Sequence, residues 1–292
     1  MNEMIQSRSA TATPGTASTG TPLSGVAIQD ALFRILQDFA GYCDRNGLTY
    51  WLAGGTLLGA VRHGGFIPWD DDIDVYMPRK DYLDFIAALR ENPVGDHYRA
   101  VALELDNSPY PFIQLLDLDT KITNSNSSLH TSLWLDIFPV DCMDTSVVEN
   151  DRFFRKIRHC AWMLEIASIE RVRGRTAAVR LAKAAVITLA KIRGATHYGQ
   201  RLLDTVRRAS RPDSPLCGNA VWGPGRKGIL PREALFPCST IAFRGIKFMA
   251  PHDPHAYLSA IYGDYMKIPP ENQRVSHGTE AVLLRQPDSG LR

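Results

Sequence analysis

The chain has 292 residues, of which 45% are apolar and 22% charged, and its formal net charge is +2. This composition is typical of a globular protein with a sizeable core, and no apolar run approaches the ~20 residues that cross a bilayer. No charged stretch precedes an apolar segment at the N-terminus, so we expect no secretory signal. Five scattered cysteines without metal or redox spacing favour mostly buried thiols in a reducing cytoplasm: Cys43, Cys142, Cys160, Cys217 and Cys238.

The first part of the chain changes from an unstructured to a structured pattern. Residues 1–24 are mostly Ser, Thr, Ala, Gly and Pro, and we predict that they are disordered. Apolar residues at helical spacing predict a helix over residues 28–43. A short strand then runs into Gly54-Gly55, and Thr56 is expected to cap a second helix.

Strands and helices intermix along the rest of the chain. Extended segments are predicted at 72–77, 98–103, 111–116, 133–140 and within 229–248, and helices from 78, over most of 151–209 and at 254–262. This order predicts an α/β or α+β fold with a mixed sheet flanked by helices, and we favour α+β. We divide the chain into a disordered lead-in (1–24), a catalytic core (25–145), a basic helical region (146–225), a C-terminal part of the same domain (226–282) and a tail (283–292).

Charge is distributed unevenly along the chain. Residues 151–213 contain 15 Lys and Arg against 5 Asp and Glu, whereas the remainder contains 18 and 26. A basic segment beside an acidic half indicates an anionic partner such as a nucleotide, an acidic glycan or a membrane surface. A solvated helical face with an ordinary core stripe explains the same pattern equally well.

Closely spaced carboxylates are the strongest chemical signal. Asp70, Asp72 and Asp74 alternate, so they share one face if the strand extends that far back. Such like charges are unfavourable without a cation, and a divalent ion that prefers oxygen ligands resolves this. Asp136 is the best third ligand, since it is the one charge within an apolar strand. The alternative is an acidic turn, with Asp136 paired to a basic side chain.

The Gly54-Gly55-Thr56 turn precedes these carboxylates. Glycines allow backbone amides to approach a phosphate closely, and a helix N-terminus favours anions. The same residues also suit an ordinary turn between a strand and a helix. Arg62 and His63 follow on that helix, where they can neutralise phosphate or simply complement the helix dipole.

Three separated blocks resemble the LicD family, which is related to fukutin-type transferases. They are G-G-T-L-L-G-A-V-R-H-G-G-F-I-P-W-D-D-D-I-D-V (residues 54–75), L-W-L-D-I-F-P-V-D (133–141) and Y-L-S-A-I-Y-G-D-Y-M-K-I-P-P-E-N-Q-R-V-S-H (257–277). Residues 145–225 match least well. The blocks occur in the family's order and are spread across most of residues 30–280.

The resemblance implies a nucleotidyltransferase fold like that of DNA polymerase beta, with a basic helical insertion. It also implies Mg²⁺-dependent (or Mn²⁺-dependent) transfer of a phospho-substituent from a CDP-linked donor such as CDP-choline to a glycan or glycolipid. By position, Asp72, Asp74 and Asp136 match the metal ligands and Asp70 the acidic residue before them. Gly54, Gly55 and Thr56 match the phosphate-binding turn.

Several alternatives stay open at this point. The same fold carries nucleotidyl transfer, and a non-catalytic binding module is a third class. Arg274 and His277 are candidates for contacts to the pyrophosphate or the acceptor, while Tyr262 and Tyr265 suit either base stacking or the core. No nucleic acid partner is expected. We expect a cytoplasmic protein with peripheral contact to the inner membrane face.

Overall fold

The computed structural model describes residues 20–125, 127, 129–170, 176–274, 276 and 278–284. Within them the helices are α1 (Gly25–Asn46), α2 (Gly54–His63), α3 (Arg79–Glu91), α4 (Thr145–Val148), α5 (Asp151–Ala167), α6 (Ala177–Arg193), α7 (Ala195–Ala209), α8 (Arg232–Leu235) and α9 (Pro254–Tyr262). No helix in this part of the chain is long and apolar enough to span a membrane.

The strands are short except for one. They are β1 (Thr21–Pro22), β2 (Trp51–Leu52), β3 (Asp74–Pro78), β4 (Tyr98–Val101), β5 (Ile113–Asp117), β6 (Thr120–Ile122), β7 (Trp134–Met143), β8 (Leu216–Gly218), β9 (Ile229–Pro231), β10 (Ser239–Phe243), β11 (Ile246–Ala250) and β12 (Ala281–Leu283). The predicted extended segments and the last helix are confirmed, with shifts of a few residues at their ends.

The central sheet has the order β2-β3-β7-β5-β4, and β8 and β9 extend it along the second half of β7. β3 and β7 run parallel, whereas β2, β5 and β4 join antiparallel to their neighbours. The sheet is therefore mixed, as predicted. Helices α1 and α3 pack on it and fill the main core. The finer assignment to a polymerase-beta-like fold stays a prediction.

Helix α1 illustrates how local sequence sets these elements. Ser24 caps it, its Oγ accepting the Ala27 N–H at 3.2 Å, and Gly47 ends it in the left-handed conformation at φ 64°. Leu36 and Phe39 on its apolar face are fully buried. Each such side chain contributes about 1.5–3 kcal/mol through removal of apolar surface from water.

The first and last described strands, β1 and β12, form a small sheet with β6 in the order β1-β12-β6. Thr21 pairs with Leu283, and Leu23 N donates to Ala281 O at 2.9 Å. The prediction of disorder through residue 24 is therefore wrong for residues 20–24, because the composition did not show that these residues add a strand to a sheet edge. Residues 1–19 lie outside the described residues.

The basic helical region has its own smaller core beside the main one. α5 and α7 pack together, and Phe154, Ile157, Leu202 and Val206 meet there. The region also contains a strand, since β8 lies within it and pairs with β7 of the central sheet. The division of the chain into domains stays a prediction.

The cysteine pattern differs from the expectation. Cys142 and Cys217 are register partners on β7 and β8 and form a disulfide. Their separation of 75 residues concealed this pair, because only the antiparallel strand pairing brings them together. Cys43 and Cys160 are buried thiols, as expected. The cysteines therefore no longer support a reducing compartment, and the cytoplasmic location stays a prediction.

Candidate active site

Two carboxylates meet where β3 and β7 lie side by side. Asp74 begins β3, and its register partner on the parallel strand β7 is Asp136. Adjacent strands lie about 4.8 Å apart, so the two residues are direct neighbours across the sheet. The Asp136 N–H donates to Ile73 O at 3.1 Å, which fixes this register up to the start of β3. The expected convergence of these two residues is confirmed.

Asp70 and Asp72 reach the same place from the loop before β3. The strand begins only at Asp74, so the expectation that all three residues alternate along one strand is wrong. They converge nevertheless. Burial, followed by the negative charges of Asp72, Asp136 and Asp70, raises the pKa of the Asp74 carboxyl well above its usual range. Asp74 nevertheless keeps partial access to solvent.

Asp136 is oriented by a polar side chain on the next strand. Gln114 Nε2 donates to Asp136 Oδ1 at 3.0 Å, and the two residues are register partners across β5 and β7. Gln114 is 2% exposed, and its Oε1 has no hydrogen-bond partner in the described part of the chain. Burying a side-chain amide costs free energy unless it forms hydrogen bonds. Its position against Asp136 indicates that it holds this carboxylate in place.

The glycine pair packs directly against the carboxylates. A Cβ atom on Gly54 would lie 3.0 Å from Asp74 Oδ2, and one on Gly55 would lie 2.8 Å from Asp70 Oδ2. Gly54 also has φ +52°, which disfavours other residues. The turn therefore allows the acidic side chains to approach the start of α2, where the helix dipole favours negative charge. Its role in phosphate binding stays a prediction.

Thr56 does not cap α2 as predicted. The helix begins two residues earlier, after Ala53, and the Thr56 side chain is 3% exposed. Its Oγ1 instead accepts the Asp74 N–H at 2.9 Å. Thr56 is thus a positioning residue for the first residue of β3.

Tyr257 on α9 supports the same turn from the other side. The Gly54 N–H donates to the Tyr257 hydroxyl at 3.2 Å. Tyr257 is 1% exposed and also bonds to Tyr76 on β3. The glycine turn is therefore held between β3 and a helix that lies about 200 residues later in the chain.

A basic and aromatic rim borders the carboxylates. The Arg274 guanidinium lies 4.6 Å from the centroid of the Trp69 ring, and Trp69 precedes Asp70 in the chain. The His63 ring packs edge-on with the same Trp69 ring. Arg62 Nη1 donates to Tyr265 O at 3.0 Å, which directs its charge toward the end of α9. Burial, then the neighbouring Arg62 charge, lowers the pKa of His63. Arg274 and His63 thus meet at Trp69, one residue before Asp70 in the chain.

The two C-terminal tyrosines have different roles. Tyr262 is 44% exposed, and its hydroxyl would lie 3.9 Å from a Cβ on Gly54. Burial of its hydroxyl, followed by the charge of Asp74, raises the Tyr262 pKa. Tyr265 is 8% exposed and packs in the core, where its hydroxyl contacts His255 Nδ1 at 3.1 Å. His277 lies outside the described residues, so its role stays a prediction.

A cavity of about 730 Å³ opens beside the acidic group. Trp69, Asp70 and Asp71 form its wall on the site's side, and Glu280 and the start of α1 form the opposite wall. This volume falls within the range of small-molecule sites. Of the four carboxylates of the site, Asp70 lines the cavity, whereas Asp72, Asp74 and Asp136 do not.

The oxygen-only donor set suits a hard divalent cation. Among the described residues, no three His, Cys, Asp or Glu side chains already stand in metal-ligating positions. Mg²⁺, however, keeps several waters and binds through one or two carboxylates together with substrate phosphates. The close Asp74, Asp136 and Asp72 group meets that smaller requirement. The metal itself stays a prediction.

The sequence reasoning missed two residues that hold the site together. Gln114 carried a detectable signal, because it is the one amide within the apolar strand Ile113–Asp117. The same reasoning had singled out Asp136 on β7. Tyr257 carried none, since its helical position predicts only a core aromatic.

Comparison with known proteins supports this location of the site. The family described as "LicD/FKTN/FKRP, nucleotidyltransferase domain" matches residues 47–163 of the chain. The lipopolysaccharide cholinephosphotransferase LicD of Haemophilus influenzae is 29% identical over 256 residues, which are 86% of this chain and 94% of that protein. The chain carries a LicD-family domain. The residues matched to this LicD-family domain contain Gly54, Gly55 and all four carboxylates, but neither Arg274 nor His277.

Similarity extends to eukaryotic proteins over a shorter part of the LicD-family domain. The ribitol 5-phosphate transferase FKRP of Mus musculus is 38% identical over 96 residues, 32% of this chain and 18% of that protein. FKRP of Homo sapiens is 57% identical over 35 residues, 12% of this chain and 7% of that protein. These shorter matches concern part of a domain and not the whole of either relative.

Proposed function

We propose that this protein transfers a phospho-substituent, such as phosphocholine, from a CDP-linked donor to a hydroxyl of a cell-surface glycan or glycolipid and releases CMP. The enzyme class rests on homology, since a cholinephosphotransferase aligns over 94% of its length. The observation that carries the proposal is the meeting of Asp74 and Asp136 on parallel strands with Asp70 and Asp72 beside them.

The carboxylates are proposed to bind Mg²⁺ or Mn²⁺. Asp72, Asp74 and Asp136 would hold the ion, which supplies Lewis-acid stabilisation of the charge that develops on the diphosphate. Burial, followed by the negative charges of Asp72, Asp136 and Asp70, raises the pKa of Asp74, and a cation held by these residues would lower it. The nucleotidyltransferase description of the matched domain is consistent with this chemistry.

The chain's residues would act on the two partners as follows. Arg62, Arg274 and the first turn of α2 would orient the diphosphate, and the 730 Å³ cavity beside Asp70 would admit a substrate. The acceptor oxygen forms a bond to the phosphorus distal to cytidine, while the bond from that phosphorus to the bridging oxygen breaks. CMP leaves with the electron pair. The hydroxyl proton passes to a carboxylate, and Asp74 and Asp136 are both placed to accept it.

A CMP-release screen tests the proposal. The full-length protein is incubated with CDP-choline, CDP-ethanolamine, CDP-ribitol or CDP-glycerol, each with Mg²⁺, with Mn²⁺ and with a chelator. We expect metal-dependent CMP release from one donor class. Release that is unaffected by the chelator would contradict the metal assignment, and no release from any donor with a glycan acceptor present would contradict the transfer itself.

Nucleotidyl transfer is the second candidate, because the matched family is described as a nucleotidyltransferase domain. In that reaction the acceptor attacks the phosphorus next to the nucleoside, and the nucleoside monophosphate reaches the product. A donor labelled separately in its cytidine and in its substituent separates the two reactions. Label from the substituent in the product supports the first proposal, and cytidine label supports the second.

A further inference from the structure

Helix α6 presents apolar side chains to solvent along its outer face. Leu181 and Ile192 are each 75% exposed, and Leu189 is 61% exposed. With the exposed Ala185 they follow at intervals of four, four and three residues, which places them on one side of the helix. A surface helix normally directs such a stripe toward the core.

The opposite side of α6 already serves the core. Ile187 is 8% exposed and Ala190 fully buried, and they face α5 and α7. At about 100° per residue, their mean direction lies nearly opposite the outer face. The outer apolar side chains therefore do not contribute to the core of this region. Their exposure to solvent needs a different explanation.

The charges on α6 indicate which kind of partner covers its outer apolar face. Arg180, Lys183, Lys191 and Arg193 are exposed on the same helix. The sequence contains no Asp or Glu between Glu170 and Asp204. At about 100° per residue, Arg193 borders the outer face, whereas Arg180, Lys183 and Lys191 lie toward the side of Ile187. An apolar helix face on a helix whose only charged side chains are cations is the pattern of helices that lie in the interface of an anionic lipid bilayer.

The adjoining helix α5 adds a second contact of the same kind. Trp162 is 42% exposed, and Arg155, Arg158 and His159 precede it at helical spacing on the same side. Tryptophan beside basic residues is enriched at the boundary between lipid and water. α5 packs on α6, so both features belong to one part of the molecule.

We propose that α6 docks this protein on an anionic phospholipid surface, with Leu181, Leu189 and Ile192 inserted among the headgroups and the basic side chains at lipid phosphates. At 17 residues, α6 is about 25 Å long and cannot cross a hydrocarbon core of about 30 Å, so it lies on the surface. A second copy is a poorer occupant, because it would bring two acid-free basic segments together.

Vesicle co-sedimentation of the full-length protein tests this docking surface. Vesicles of phosphatidylcholine alone are compared with vesicles that also contain phosphatidylglycerol, at low and high salt. We expect binding to the anionic vesicles only, weakened by salt. Arg193→Gln, at the border of the outer face, should weaken binding about fivefold. Lys183→Gln, on the opposite side of the helix, should weaken it less.

The apolar part is tested with the Leu189→Gln/Ile192→Gln double variant. The control is Leu83→Gln, which replaces a 43% exposed leucine on α3. The double variant should bind at least about tenfold more weakly, and the control should bind normally. CMP release from a donor in solution should be unchanged in all variants, which separates this test from that of the proposed function. Equal binding of wild type and the double variant to the vesicles would overturn the proposal. So would a wild-type dimer in solution that becomes a monomer only in the double variant.

Discussion

The two ends of the β3–β7 strand pair handle carboxylate charge in opposite ways. At the end where β3 begins, Asp74 lies among Asp136, Asp72 and Asp70, and the negative neighbours and burial raise its pKa. At the end where β3 stops, Arg79 follows the strand and binds Asp141 of β7 with two hydrogen bonds, 2.6 and 3.0 Å long.

The second end is electrostatically complete within the protein. Asp141 is 1% exposed, and its ion pair outweighs the burial that alone would lower the pKa of Arg79, so that this pKa is raised. Glu104 Oε1 stands 3.7 Å from Arg79 Nη1, beyond hydrogen-bond distance, and adds a weaker attraction. Removing one partner of such a buried ion pair is costly for the fold, whereas several carboxylates close together are typical of functional sites.

The largest expected effect is on activity at the acidic end. Asp72→Asn removes one negative ligand while keeping the shape of the side chain, so CMP release should fall by on the order of 10³–10⁴-fold, as for other essential charged groups. Stability should not fall, because like-charge repulsion is reduced. Asp84→Asn, at an exposed surface ion pair with Lys80, is the matched control and should be fully active. Near-normal turnover of Asp72→Asn would remove its assigned role.

At the other end the effect should be on stability. Asp141→Ala leaves the Arg79 guanidinium largely buried without its partner, so the free energy of unfolding should fall by about 3–5 kcal/mol. Urea denaturation followed by circular dichroism measures this change. The Arg79→Met/Asp141→Leu double variant removes both charges and should recover much of the loss. A single variant as stable as wild type would show that the pair contributes little.

A third prediction concerns pH. Burial lowers the pKa of His130 to about 4, from 6.5 in an unfolded chain, between the Tyr110 and Trp134 rings. Below pH 6.5 His130 binds a proton in the unfolded state but stays neutral in the native state. The native state therefore loses stability as the pH falls from 6.5 toward 4. The loss is at most about 3 kcal/mol. His130→Gln should flatten the pH dependence of unfolding, whereas His159→Gln, at an exposed position, should not. An unchanged slope in His130→Gln would contradict this assignment.

The smallest expected effect tests the support of Asp74. Thr56→Val removes the acceptor of the Asp74 N–H and should cost about 1–3 kcal/mol of stability. Turnover should fall as well, since Asp74 loses its positioning contact. Thr56→Ser keeps the hydroxyl and should restore both quantities. If Thr56→Val and Thr56→Ser behave alike, the hydroxyl does not position Asp74.

How far the sequence predicted this site depends on whether a residue acts locally or through the fold. Asp136 could be predicted because a lone charge within an apolar strand needs a reason to be there. The exact start of β3 could not, because β3 pairs with two other strands that the local pattern around Asp72 does not contain. The partners of Gly54 and Thr56, namely Tyr257 and the Asp74 N–H, also follow only from tertiary packing.

The same distinction applies to the fold. Helix α1 could be predicted from its apolar spacing, since this signal is local, although its start at Gly25 after the cap Ser24 was not predicted. The strand Thr21–Pro22 and the Cys142–Cys217 pair could not, because each depends on a partner far away in the chain. The helices of the basic helical region could be predicted from the local pattern. The exposure of Leu189 and Ile192 could not, because it depends on how α6 packs against other helices.

Direct measurement of metal binding tests the central claim that the acidic end of the β3–β7 pair is a cation site. Isothermal titration of Mg²⁺ or Mn²⁺ into the full-length protein, with and without CDP-choline, is compared for wild type, Asp74→Asn and Asp84→Asn. We predict binding by wild type and Asp84→Asn that the donor strengthens, and its loss in Asp74→Asn. Binding that Asp74→Asn retains in full, or no binding by wild type even with a donor present, would contradict the claim.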